Sequence, residues 1–181
     1  VARWSNQKDF ENLFQALSLL HSNNVYFHLT IAGNNTGPDN YKLNKMLNKY
    51  KIRRFCSLIG EVDNVDDIYM NSHVTVLSSS YGESFPNVLA ESMLNFTPCV
   101  ATDVGDTANI LDGVGLVVPI GDSNALASAL KENLRVLMNE KDIYLSNCVK
   151  CYEKVCHFYD IDDVANYYKD LWKSLLYDEN T

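Results

Sequence analysis

Residues 74–92 read VTVLSSSYGESFPNVLAES, and the change of period inside them decides the fold. Val74 to Ser78 is a short β-branched run closed by serines, the composition of a strand and its turn. Ser79 to Phe85 carries Gly82 and reads as a loop. Pro86 suits the first turn of a helix, where its missing N–H would be unpaired anyway, and that helix is expected to reach about Asn95. The same strand–loop–helix unit recurs in both directions. Upstream, Phe10, Leu13, Phe14, Leu17 and Leu20 fall on one helical face over about 9–22. Val25 to Ala32 reads as a strand stopped by Gly33 and the turn-rich Asn34–Asn40, Tyr41 to Tyr50 as a helix, Phe55 to Ile59 as a strand, and Val65 to Met70 as a short helix. Downstream come a strand at Pro98–Thr102, a turn or two of helix at Thr107–Leu111 and a strand at Leu116–Val118. Helices are then expected at Ala125–Met138, Ile143–Phe158 and Val164–Leu176. The opening Val1-Ala2-Arg3 has no methionine and reads as the end of one more strand, in a piece of something longer.

Apolar strands alternating with amphipathic helices give a parallel sheet covered on both faces. The expected architecture is one α/β domain over 1–181: a Rossmann-like, doubly wound sheet of about six strands with a helical tail from about 141 to 181. The 181 residues fit one domain, and 46% apolar with 21% charged residues excludes a disordered chain. No apolar run approaches the roughly 18–20 residues that cross a bilayer. The 15 Lys and Arg stand against 23 Asp and Glu, a net charge of -8, which argues against a nucleic-acid partner but leaves room for a local basic pocket. Five scattered cysteines, an odd number, point to reduced thiols in a cytoplasmic compartment.

In such sheets ligands bind beyond the carboxyl ends of the strands. The loops there are Arg3–Asp9, Gly33–Asn40, Gly60–Asp66, Ser78–Pro86 and Thr102–Ala108. The unpaired N–H groups around Asn87 and Val88, at the start of the helix after Pro86, make an anion site worth about 0.3–2 kcal/mol before any side chain helps. Glu83 in the loop and Glu91, eight positions on, bracket that helix start, and each carboxylate can accept from vicinal hydroxyls. Arg3 and Lys8 add a planar fork and a mobile point charge suited to a pyrophosphate. A sugar at each end of a pyrophosphate is a nucleotide-sugar. The plain alternative is that both carboxylates are solvated and the basic pair is a surface feature.

Several motifs in order carry a family resemblance. Residues 1–8 hold Arg-(x)4-Lys, 29–33 read LTIAG, 58–60 LIG and 82–91 GESFPNVLAE, with the Glu-(x)7-Glu spacing. Residues 98–105 read PCVATDVG, and 115–122 GLVVPIGD. The chain resembles the carboxyl-terminal, donor-binding domain of the family 4 retaining glycosyltransferases, one half of a GT-B fold, in the manner of bacterial O-antigen or capsule enzymes. The resemblance implies transfer of a sugar from a UDP or GDP conjugate to an acceptor hydroxyl with retention. It implies Glu83 on the donor-sugar hydroxyls, Glu91 on the ribose, and Arg3 and Lys8 on the diphosphate. Backbone N–H groups of Phe85, Asn87 and Val88 would share the charge, with Ser84, Pro86 and Gly33 on the donor surface and Val62 and Asp63 lining the base. No metal or other cofactor is implied, because cationic side chains and a helix N-terminus do that electrostatic work. The acceptor, a glycan or lipid-linked saccharide, would belong to an amino-terminal domain absent from these residues, in a protein at the inner face of the membrane. Alone, this part is expected to bind donor weakly and to be inactive.

The departures are Ser84-Phe85-Pro86 where many members have Gly-Phe-Gly, Gly105-Asp106 for Gly-Gly, and Ser92-Met93-Leu94 for Ala-Met-Ala. The alternatives are a nucleotide-sugar 2-epimerase of the same fold and a non-catalytic nucleotide-binding module. Cys148, Cys151, Cys156 and His157 lack zinc-ligand spacing. Ser78–Ser80 lack a nucleophile elbow, and no Gly-x-Gly-x-x-Gly is present. The apolar stripe Tyr167, Tyr168, Leu171, Trp172 and Leu175 either packs on this domain or crosses to the other.

Overall fold

The computed structural model describes residues 1–178. Five strands are present among them: β1 Leu29–Ala32, β2 Cys56–Gly60, β3 Thr75–Leu77, β4 Cys99–Thr102 and β5 Leu116–Val118. They alternate with α1 Phe10–Ser22, α2 Tyr41–Lys49, α3 Asp66–Met70, α4 Asn87–Leu94, α5 Thr107–Leu111 and α6 Ser123–Asn139. The tail is α7 Lys141–Phe158 and α8 Ile161–Asp178. All strand pairs are parallel, β1 with β2 and β3–β4–β5 in that order. Helix starts follow from the sequence. Asp9 accepts from Asn12 N–H, Asn40 from Leu43 N–H, and Asp122 from Asn124 and Ala125, each filling orphan donors of the first turn.

The sheet is covered on both faces, and β4 shows how. All four of its residues are buried. Val100 packs into a core with Phe14 and Leu17 of α1, Leu47 of α2 and Leu126 of α6. Its neighbours Cys99 and Ala101 point the other way, into a core with Leu89 and Met93 of α4, Ile110 of α5 and Cys151 of α7. The two-residue repeat of an extended chain thus feeds two cores, the doubly wound arrangement expected.

Two expectations change. Val25–His28 are not part of β1, because Leu29 is already opposite Cys56, the first residue of β2, and residues 53–55 form a 3-10 turn. Val25 and Phe27 instead lay their side chains on the α1 core. The expected opening strand is an extended segment bonded at two points, Ala2 N–H to Ala32 O at 2.8 Å and Trp4 N–H to Asn34 O at 2.9 Å. The sheet is consequently in two pieces rather than continuous. Between β1 and β3 lies a cavity of about 950 Å³, lined by Val1, Leu29, Ile31, Val74, Val76 and Leu17 among others.

Helix α7 packs onto the domain through buried Cys151 and Val155, with Tyr152 stacked on Phe96 at 4.4 Å. Helix α8 does not: Tyr167, Trp172 and Leu175 are each about 60% exposed, so its apolar stripe is uncovered. Among the described residues no helix is long and apolar enough to cross a membrane.

Candidate functional site

The first loop is set by a 3-10 turn, Asn6–Lys8, ending at Asp9, whose left-handed φ of 39° turns the chain into α1. Trp4 packs on Phe10 at 4.8 Å. This turn is laced to the β3–α4 loop through its backbone: Ser80 N–H donates to Gln7 O at 2.9 Å, and Ser78 Oγ to Lys8 O at 2.7 Å. Residues some seventy positions apart are thereby held side by side.

The side chains complete the contact. Lys8 Nζ lies 2.6 Å from Glu83 Oε1, with 17% and 10% of the two side chains exposed. Ser79 Oγ donates to the same oxygen at 2.7 Å, and Gln7 Nε2 at 3.3 Å. Burial pushes the Glu83 carboxyl up, but Lys8 and Ser79 outweigh it, and its pKa stands below the usual carboxylate value. Glu83 is therefore ionised at neutral pH, with three donors on Oε1. Arg3, on the exposed side, donates from Nη2 to Gln7 Oε1 at 3.0 Å.

The loop from β4 braces this cluster from below. Thr102 Oγ1 donates to Ser79 O at 2.6 Å, and Asp106 N–H to Ser84 O at 2.9 Å. Gly105 has a φ of +58°, and a Cβ there would meet Glu83 O at 2.4 Å and Ser84 O at 2.7 Å. The Gly105-Asp106 pair is what lets the two backbones approach.

Pro86 is the residue before α4 rather than its first residue, with φ -73° and ψ 93°. Leu89 N–H turns back to Pro86 O, no side chain caps the helix, and Asn87 and Val88 N–H make no hydrogen bond among the described residues. Ser84 and Phe85 are exposed beside them. Glu91 is the fifth residue of α4, half-buried, with Oε2 accepting from Tyr69 Oη at 2.9 Å. Burial, then the Glu91 charge, drives the Tyr69 phenol strongly upward, so it remains a donor.

The structure thus joins Arg3, Lys8 and Glu83 in one hydrogen-bonded cluster and puts Glu91 on the helix that Glu83 precedes. Gly33 lies at the end of β1 with φ +134°, where a Cβ would fall 2.4 Å from Ala2 O, so its first role is to admit the amino-terminal backbone. Val62, half-buried, and Asp63, exposed, are on the β2–α3 loop. Sequence reasoning missed Gln7, Ser79 and Tyr69. Ser79 and Tyr69 had a weak signal, a polar tip within a buried stretch that must find a partner; Gln7 had none beyond its place next to Lys8.

The family model for glycosyl transferases group 1 matches residues 1–135, most of the chain. The chain belongs to the group 1 glycosyl transferases. It is 26% identical over 172 residues to an exopolysaccharide phosphotransferase of Streptomyces coelicolor, covering 93% of this chain and 18% of the relative. Its fold is similar to that of a glycosyltransferase from Rickettsia africae, with a TM-score of 0.85, 17% identity, and coverage of 99% of this chain and 47% of the other. Anabaena HepE, solved in complex with UDP, gives a TM-score of 0.80 at 17% identity over 96% of this chain and 47% of its own. This chain thus spans 18% of that relative's length and less than half of either solved structure. The α/β architecture with its helical tail is of the GT-B kind.

Proposed function

We propose that this chain is the donor-binding domain of a retaining glycosyltransferase that uses a UDP- or GDP-linked sugar, in the service of surface polysaccharide synthesis. The observation that carries the reading is the juxtaposition of an ionised Glu83 on Lys8 with the unpaired N–H groups that open α4. A group 1 family match and a neighbour solved with UDP support it.

In this reading the diphosphate lies over the start of α4, on Asn87 and Val88 N–H, with Arg3 and Lys8 closing from the side. Lys8 Nζ has two further N–H donors to offer beyond the one on Glu83. Glu83, fixed through Oε1, presents Oε2 to hydroxyls of the donor sugar, and Glu91 takes the ribose diol. The bond from the anomeric carbon to the diphosphate oxygen breaks, its electron pair passing to that oxygen. The acceptor oxygen bonds the same carbon on the same face and passes its proton to the departing diphosphate. The two cations and the helix N-terminus are strongest where negative charge grows, on the leaving diphosphate, which is what lowers the barrier without a metal. The acceptor, on this reading, is held by another part of a longer protein at the inner face of the membrane.

Calorimetric titration with UDP, GDP, UDP-glucose and GDP-mannose at millimolar concentrations tests this. One base is expected to bind, Glu91→Ala to weaken nucleotide and nucleotide-sugar alike, and Glu83→Ala to weaken only the sugar conjugate. Absence of binding by all four ligands would overturn the reading, and equal losses in both variants would overturn the division of roles. A nucleotide-sugar 2-epimerase would reveal itself by converting donor alone to a new hexosamine.

A further inference from the structure

The Gln7 amide touches each half of the candidate site. Its Oε1 accepts from Arg3 Nη2 at 3.0 Å, and its Nε2 donates to Gly82 O at 2.8 Å and to Glu83 Oε1 at 3.3 Å. Gly82 leaves room for it: a Cβ there would come within 3.2 Å of Nε2. The partners fix the chemistry of the side chain. A guanidinium only donates, whereas a backbone carbonyl and an ionised carboxylate only accept. Only a group with an acceptor at one tip and a donor at the other satisfies both neighbours, and among side chains of this reach that is the primary amide. A carboxylate of the same shape would hold Arg3 more tightly and face two oxygens with no proton between them. An aliphatic chain would release both sides.

We propose that Gln7 is a positioning residue that couples the diphosphate cation Arg3 to the sugar-reading carboxylate Glu83, so that both are aimed before the donor arrives. This rests on the nucleotide-sugar reading above. Gln7 need not touch the ligand. It restrains an exposed guanidinium that has no other hydrogen bond among the described residues, and it adds a third donor to Glu83 Oε1, leaving Oε2 as the oxygen offered to the sugar. The backbone of the turn is anchored independently, through Ser80 N–H to Gln7 O, so the side chain can be changed without unlacing the loops.

The charged side chains around the amide are Arg3 and Lys8 from the amino-terminal turn and Glu83 from the β3–α4 loop. The carboxylate introduced by Gln7→Glu would lie close to Glu83, and two carboxylates so placed share a proton, raising one pKa. Donor binding would then become pH-dependent where the wild type is not. The test measures affinity by calorimetry on the full chain from pH 8 to pH 5.5, for wild type, Gln7→Glu and Gln7→Leu. The probe is whichever of UDP-glucose and GDP-mannose the wild type binds more tightly, and melting temperatures are recorded alongside. Both variants are expected to lose about tenfold in affinity at pH 8 with melting temperatures within a few degrees of wild type. Gln7→Glu regains most of that loss by pH 5.5, whereas Gln7→Leu and wild type change little. Unaltered affinity in both variants, or a loss in Gln7→Glu that acid does not relieve, overturns the coupling role while leaving the donor reading intact. A wild type that binds neither probe overturns both.

Discussion

Adding one methyl group at Gly105 tests how the site is held. Two effects follow from Gly105→Ala. The first is local: an L-residue at φ +58° is in the left-handed region, which costs about 1–2 kcal/mol. The second is steric. The new Cβ would be 2.4 Å from Glu83 O and 2.7 Å from Ser84 O, both backbone, so no side-chain rotation relieves it and one loop must retreat by nearly an ångström. That retreat breaks the Asp106 N–H bond to Ser84 O, worth about 1 kcal/mol, and pulls Glu83 from the donors on Oε1, where hydrogen bonds to charged groups are worth about 1.5–3 kcal/mol. The total is about 5 kcal/mol, and at roughly 2–4 °C per kcal/mol for a chain of this size the melting temperature should fall by about 15 °C. Gly113→Ala supplies the reference. Gly113 has φ +74° but nothing within 4 Å of its Cβ position, so only the backbone effect applies there, about 1–2 kcal/mol. The gain from a less flexible unfolded chain is common to both variants and cancels in their difference. Thermal and urea unfolding of the two proteins read the difference directly. Equal destabilisation would refute the reasoning, since the β4–α5 loop would then not be pressed against the Glu83 backbone.

Two further outcomes follow from the same geometry. Lys8→Met removes the strongest donor on Glu83 and leaves burial to push that carboxyl up. In the wild type the depressed pKa contributes stability above the ordinary value of 4.5 and loses it as pH falls through the folded value, so the stability gap between the proteins should be widest at neutral pH and close towards pH 4 in urea titrations. A gap independent of pH would show that the ion pair is not what Lys8 contributes. The five thiols should divide by access: Cys56, Cys99, Cys148 and Cys151 are buried and Cys156 is exposed. Burial lifts the Cys56 thiol to about 11 and those of Cys99 and Cys151 to about 12. A disulfide reagent should therefore label one thiol quickly in the native chain and the other four only on unfolding; two or more fast thiols would contradict the packing of α7.

The α/β architecture was legible because each unit carried its own periodicity. Leu116–Val118 and Thr107–Leu111 have the bounds their sequence suggests, and α1 and α2 differ from expectation by about one residue. Residues 25–28 escaped because strand composition reports what a segment can pair with, not whether a partner runs alongside. Within the site, the charged residues announced themselves by spacing. Their supports did not. Ser79, Gln7 and Tyr69 act through contacts with residues 4, 76 and 22 positions away, and single-sequence patterning carries no term for the last two.

The backbone lacing of the first turn to the β3–α4 loop bears on the order in which the molecule assembles. Ser80 N–H on Gln7 O and Ser78 Oγ on Lys8 O tie together positions some seventy residues apart. Closing so long a loop has an entropic cost that only the intervening strands and helices offset, so the ligand-facing turns are expected to set late, after the sheet beneath them has formed.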